Sequence, residues 1–153
     1  MAKLSYEEQA NNLSKAIDIA INAFQEHPPK GFDKSHIDHI TNTYLDARNR
    51  ALNPEPQFKK VSSLKYIVEE VFTYFQEATG DTVNLFWKEI NTSNLPYKRQ
   101  NKLTKILKRN KIKNKVEYDF ITDVIVPYEQ EGLLNDDDIN TLNHLLKEFE
   151  NKK

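Results

Sequence analysis

The sequence predicts an all-α protein, a compact bundle of six to seven helices that forms a single domain over residues 1–153. Apolar residues recur every three to four positions along most of the chain, which is the period of an amphipathic helix. Capping residues precede several of these stretches. Of the 153 residues, 38% are apolar and 29% are charged, which is typical of a folded globular chain rather than a disordered one.

The first two helices are predicted from their N-terminal capping signals. Ser5 and Glu8 are spaced as a capping box, in which each side chain bonds a free backbone N–H of the first turn. This helix should end before Pro28, because proline disfavours helical geometry in the residue that precedes it. Ser35 with Asp38 is predicted to start the second helix. The inward residues of the first helix are Leu13, Ile17, Ala20, Ile21 and Phe24, and those of the second are Ile37, Ile40, Tyr44, Ala47 and Ala51.

The third helix, from about Ser62 to Thr79, is the most apolar and should therefore be central. Gly80 is predicted to end it in a left-handed conformation, and Asp81 or Thr82 to cap the fourth helix. The polar edge of the third helix is assigned to Glu69, Glu70 and Glu77, which we favour over a set of buried carboxylates. Its inward residues are Leu64, Ile67, Val68, Val71, Phe72, Phe75 and Ala78, widened by Tyr66 and Tyr74, and those of the fourth helix are Val83, Phe86, Trp87 and Ile90.

The rest of the chain predicts three more helices. After a loop at residues 91–94, Pro96 suits the first turn of a fifth helix, which should break near residues 110–114. Pro127 should bend or end the sixth helix and Gly132 should end it, although the start of this segment also alternates like a strand. Asn135 is predicted to cap the final helix. The inward residues of these three helices are Leu103, Ile106 and Leu107, then Val116, Phe120, Val124 and Tyr128, then Ile139, Leu142, Leu145, Leu146 and Phe149.

Composition excludes several classes of protein. The chain has no cysteine, so it has no disulfide framework, cysteine zinc site or cysteine nucleophile. The N-terminal residues contain no apolar run that would predict a signal peptide. No stretch of about 18 apolar residues is present, so no membrane span is predicted. These observations favour a cytoplasmic location.

Candidate metal ligands and catalytic groups are few. His36 and His39 are three residues apart on the second helix and would need a third ligand from elsewhere to hold a metal. We favour the interpretation that they are solvent-facing residues of a first helical turn. The acidic run at residues 136–138 does not start a calcium loop, because Thr141 and Lys147 stand where glycine and glutamate are required. No catalytic residue, metal ligand or cofactor is therefore predicted.

Charge is distributed very unevenly along the chain. Residues 98–115 (KRQNKLTKILKRNKIKNK), here called the basic segment, carry nine Lys or Arg and no acid. The residues that follow carry ten acids against three lysines, a net charge of −7, although the whole chain has a net charge of only −1. On a helical wheel, four basic residues lie within about 60° of one another at ~100° per residue. They form a predicted basic ridge, the predicted partner-binding site, of Lys98, Lys102, Lys105 and Arg109.

These features favour a non-enzymatic protein-binding module that acts through a charged helical surface. The most concrete version is a small cytosolic adaptor, or an immunity- or antidote-type protein that neutralises a toxin or effector, because such proteins need only a shaped, charged surface. The first alternative is a nucleic-acid-binding module that uses a basic helix over 98–115, although only Tyr97 offers a stacking ring there. The second alternative is a helical enzyme with a site around His36 and His39. A third interpretation leaves the ridge as a solvated face that is partly neutralised by the acidic final third of the chain, for example by residues 136–138.

Overall fold

The computed structural model describes residues 4–152. This part of the chain is 74% helical and contains no strand, so the predicted all-α class is confirmed. Its seven α-helices also match the predicted six to seven. They are α1 (Tyr6–Glu26), α2 (Lys34–Leu52), α3 (Val61–Glu77), α4 (Asp81–Thr92), α5 (Thr104–Arg109), α6 (Lys115–Gln130) and α7 (Asp136–Asn151), with a short 3-10 helix at Pro56–Phe58 between α2 and α3.

The chain divides into two units, Met1–Lys98 and Arg99–Lys153. The first contains α1 to α4 and the second contains α5 to α7, and each has its own cluster of buried apolar side chains. A single domain over residues 1–153 stays a prediction. No helix within residues 4–152 is both long enough and apolar enough to cross a membrane.

In the first unit, α1 packs against α2, α3 and α4. The predicted capping box is confirmed, since Ser5 Oγ accepts from the Glu8 amide and Glu8 Oε1 accepts from the Ser5 amide, both at 3.1 Å. Phe72 and Phe75 of α3 are 5% and 0% exposed, as the apolar stripe predicts. Trp87 of α4 is fully buried, and its indole N–H donates to the Phe75 carbonyl at 2.8 Å. This bond satisfies a carbonyl of the last turn of α3, which has no partner within its own helix.

Three predictions for the first unit are wrong in detail. Helix α2 is capped by Asp33 rather than Ser35, because the Asp33 carboxylate accepts from the His36 amide and His36 Nδ1 accepts from the Asp33 amide. Tyr66 does not widen the buried stripe of α3, since it is 74% exposed. Gly80 has a positive φ of 113°, but it is the residue that directly precedes α4, whereas α3 ends at Glu77 with Ala78 as its C-cap.

In the second unit, α7 packs against α5 and α6. The strand-like start of the sixth segment is helical, and α6 continues through Pro127 to Gln130. Val116 is 77% exposed and is not part of the core, which contradicts its predicted inward position. Gly132 closes α6 with a positive φ of 76°, as predicted. The buried residues of this unit are Leu103, Ile106, Ile112, Ile121, Val124, Tyr128, Leu134, Leu142 and Leu145.

Candidate partner-binding site

The predicted basic ridge does not lie on one helix. Because α5 spans only Thr104–Arg109, Lys105 and Arg109 are helical, while Lys102 lies in the turn that precedes the helix. Lys98 is not helical and is the last residue of the first unit. All four side chains are exposed. The continuous helical ridge is therefore wrong as geometry, and the partner-binding role of its four residues stays a prediction.

Side-chain hydrogen bonds explain why the helix starts so late. Asn101 Oδ1 accepts from the Leu103 amide at 2.8 Å, and Asn101 Nδ2 donates to the Leu133 carbonyl at 3.1 Å. Asparagine that bonds the nearby backbone competes with helical hydrogen bonding. Thr104 Oγ1 adds a third bond, to the Asn101 carbonyl at 3.1 Å. These three hydrogen bonds hold residues 101–103 in a non-helical turn within the second unit.

A buried cation anchors the same turn. The side chain of Arg99 is only 3% exposed, and its Nη1 lies 3.1 Å from Glu131 Oε2. Its guanidinium carbon also lies 4.9 Å from the centroid of the Tyr128 ring, and the Tyr128 hydroxyl accepts from the Lys102 amide at 3.4 Å. Burial raises the pKa of Glu131, and the charge of Arg99 acts in the opposite direction. This arginine therefore serves the fold of the second unit.

Arg109, in contrast, is neutralised by its own neighbourhood. Its guanidinium donates two hydrogen bonds to the Glu117 carboxylate, at 2.8 and 3.3 Å. The Lys113 amide donates to the same carboxylate at 2.7 Å. The bonds from Arg109 hold the pKa of Glu117 below its ordinary value. Of the four predicted binding residues, Arg109 is thus the one whose charge is already engaged.

The acidic run, residues 136–138, starts a helix. Asp136, Asp137 and Asp138 form the first turn of α7, where the helix dipole favours negative charge. Asp138 and Asn135 complete a capping box, with bonds of 2.8 and 3.3 Å. Within the described part of the second unit, no ion pair joins the acidic run to the basic segment. Partial neutralisation by the acidic final third is confirmed, but through Glu131, Glu117 and Asp119, which pair with Arg99, Arg109 and Lys115, and not through residues 136–138.

Five exposed lysines of the basic segment make no ion pair with any described residue of the second unit. They are here called the unpaired lysines: Lys102, Lys105, Lys108, Lys111 and Lys113. Lys115, by comparison, lies 3.1 Å from Asp119. Clustered like charges repel one another, so this arrangement adds nothing to the stability of the unit. It does provide a surface that attracts anions.

A cleft beside the unpaired lysines was not predicted from the sequence. It has a volume of about 510 Å³, and its walls come from residues 111–118 and 149–152. The rings of Tyr118 and Phe149 are stacked there, with centroids 5.2 Å apart. The Tyr118 hydroxyl donates to Glu150 at 2.8 Å, and this bond raises the pKa of Tyr118. No local sequence signal points to this cleft, because its two walls are more than 30 residues apart in the chain.

The histidines of α2 and the carboxylates of α3 were the other candidate groups in the sequence. His36 Nδ1 lies 2.9 Å from Asp33 Oδ1 within the α2 cap, and His39 is exposed on the same helix. Among the residues that the structure describes, no three metal-ligating side chains gather closely enough to hold an ion. The carboxylates of α3 are exposed, which confirms their assignment to its polar edge; these are Glu69, Glu70 and Glu77.

The pKa values of two carboxylates in the second unit, Glu131 and Glu117, should be shifted in opposite directions. We expect carbon-13 NMR to place the pKa of Glu131 above and that of Glu117 below the ordinary glutamate value of 4.5. Because the folded pKa of Glu117 is lowered, its contribution to stability is present above the unfolded pKa and is lost as pH falls through the folded pKa. Glu131 has the opposite sign, so its contribution is lost as pH rises through its folded pKa. Titration of both groups on the same side of 4.5 would contradict the environments described above.

Comparison with protein-family models, with curated proteins and with solved structures finds no match to this chain.

Proposed function

We propose that this protein is a non-enzymatic binding module whose basic segment engages an acidic surface of a partner protein. Its most concrete form is a small cytosolic adaptor, or an immunity- or antidote-type protein that neutralises a toxin or effector. The observation that carries the proposal is the set of unpaired lysines, which are exposed and have no ion pair within the described part of the second unit.

The way in which the segment is held supports this role. Arg99 and Asn101 fix its start through Glu131 and the Leu133 carbonyl, and Arg109 fixes the end of α5 through Glu117. The backbone that carries the lysines is therefore ordered before a partner arrives, which lowers the entropy lost on binding. Clustered charge on such a backbone accelerates encounter with an oppositely charged surface.

Nucleic acid is a less suitable partner for this surface. Binding to single strands combines cationic contacts with rings on which bases stack. Tyr97, the ring nearest the basic segment in sequence, lies 4.6 Å from the ring of Phe72 and is half-buried in the first unit. The rings beside Lys111 and Lys113 are those of Tyr118 and Phe149, which already stack on each other with centroids 5.2 Å apart and so offer less surface to a base. Binding to nucleic acid would make capture sensitive to nuclease.

Reversing the charge of two unpaired lysines tests whether these residues bind a partner or stabilise the fold. We expect Lys102→Glu with Lys105→Glu to reduce the partner protein captured from native lysate, because the attraction that speeds association becomes repulsion. The free energy of unfolding should change by less than about 0.5 kcal/mol, since neither lysine has an ion pair to lose. Capture is measured by quantitative mass spectrometry and stability by denaturant unfolding.

A matched control variant makes the same change of charge at two exposed lysines of the first unit. Lys15 on α1 and Lys88 on α4 are also exposed, so Lys15→Glu with Lys88→Glu should capture the partner as wild type does. Nuclease treatment of the lysate should leave capture by the wild type intact. If capture is lost after nuclease, or if both double variants capture equally, the proposal fails.

A further inference from the structure

The cleft of the second unit combines an apolar floor with a cationic rim. Its apolar lining, here called the floor, is made of Ile112, which is 6% exposed, and of the stacked rings of Tyr118 and Phe149, one from each wall. Both rings are half-buried, so part of their apolar surface remains accessible. The volume of about 510 Å³ falls within the range of ligand pockets, roughly 300–1,000 Å³. The floor can therefore accept a large apolar side chain.

The charged residues that line the cleft, here called its rim, indicate the charge of the chain that would carry such a side chain. Four lysines line the cleft, against one carboxylate, Glu150, which already accepts from the Tyr118 hydroxyl. Lys115 is shared with Asp119, whereas Lys111 and Lys113 belong to the unpaired lysines. The fourth lysine, Lys152, comes from the opposite wall. An occupant with negative charges on both sides of an apolar group complements this rim.

We propose that the cleft binds an acidic peptide segment of the partner protein, with one aromatic side chain of that segment inserted between Ile112 and the Tyr118–Phe149 pair. This inference rests on the proposed function, because it names how the same partner is anchored. The unpaired lysines outside the cleft attract the acidic surface, and the cleft supplies the apolar contact. Buried aromatic anchors of this kind contribute much of the affinity of protein interfaces.

The test uses the full chain and three labelled peptides of equal length. The first has tryptophan between two glutamates on each side, the second has alanine in place of tryptophan, and the third has lysines in place of the glutamates. We expect the first to bind with amide NMR shifts concentrated at residues 111–118 and 149–152. The second should bind about tenfold more weakly, because it lacks the apolar anchor. The third should not bind, because its charge matches that of the rim.

Variants make the test independent of the wider proposal. Lys111→Gln with Lys152→Gln removes two rim charges without touching the apolar floor and should weaken the first peptide severalfold. Lys102→Glu with Lys105→Glu should leave this short peptide bound while reducing capture of the whole partner. Shifts elsewhere in the chain, equal binding of the alanine peptide, or equally tight binding of a single-stranded oligonucleotide would overturn the cleft assignment. None of these three results would by itself contradict a binding role for the unpaired lysines, which the capture experiment tests separately.

Discussion

Phe75→Ala should lower the free energy of unfolding of the first unit by about 3–5 kcal/mol. The Phe75 ring is fully buried and stacks on Phe86 with centroids 3.8 Å apart, and it also contacts the rings of Phe24 and Tyr74. Its truncation leaves a cavity among side chains from α1, α3 and α4 that cannot collapse without disturbing the others. Against a total stability of roughly 5–15 kcal/mol, the loss is large.

The fluorescence of Trp87 reports this change directly. It is the only tryptophan in the chain, and it is buried in the same cluster. Tyr66→Ala provides the control, because Tyr66 is an aromatic residue of the same helix that is 74% exposed, and its removal should cost less than about 0.5 kcal/mol. Equal denaturant midpoints for the two variants would show that α3 is not central to the first unit.

Glu131→Leu should destabilise the second unit by about 3–5 kcal/mol, because it removes one carboxylate that pairs with a buried guanidinium. The Arg99 side chain is 3% exposed and that of Glu131 is 19% exposed, so water cannot easily replace the lost partner of Arg99. Hydrogen exchange of the α6 amides, followed by mass spectrometry, measures the effect within this unit. Exchange should accelerate throughout α6 rather than only near its end.

A double variant distinguishes the buried charge from packing alone. Arg99→Met with Glu131→Leu removes both charges and keeps apolar side chains in their place. Replacement of a whole buried pair by apolar residues is often neutral, so we expect the double variant to recover most of the lost stability. If it is as unstable as Glu131→Leu alone, the ion pair is not the cause of the loss.

The all-α class and the apolar stripes were predictable from the sequence because they depend on local periodicity and capping. Ser5 with Glu8 forms the predicted capping box, and Asn135 caps α7 as predicted. Asp33 was missed as a cap because Ser35 offers an equally plausible signal two residues later, and only the paired bonds with His36 decide between them. Local pattern therefore establishes that a helix exists more reliably than it establishes where the helix begins.

The geometry of the basic segment could not be predicted in the same way. A wheel drawn over residues 98–109 assumes a helix, and Pro96 with the basic spacing favoured one. The chain instead turns at Asn101, because that side chain bonds Leu133 and because Arg99 pairs with Glu131, more than 30 residues away. The cleft between residues 111–118 and 149–152 likewise depends on contacts between distant parts of the sequence. Contacts between residues so far apart in the chain produce no recognisable pattern in the local sequence.

The ionic-strength dependence of association tests the central claim most directly. The rate constant for binding to the captured partner is measured at several salt concentrations for wild type, for Lys102→Glu with Lys105→Glu, and for Lys15→Glu with Lys88→Glu. Salt screens attraction between exposed charges, so the wild-type rate should fall steeply as salt rises. The control should follow the wild type, and the Lys102 and Lys105 variant should be slower at low salt with a much shallower dependence. Identical salt dependence in all three proteins would contradict the claim that the unpaired lysines are the binding surface.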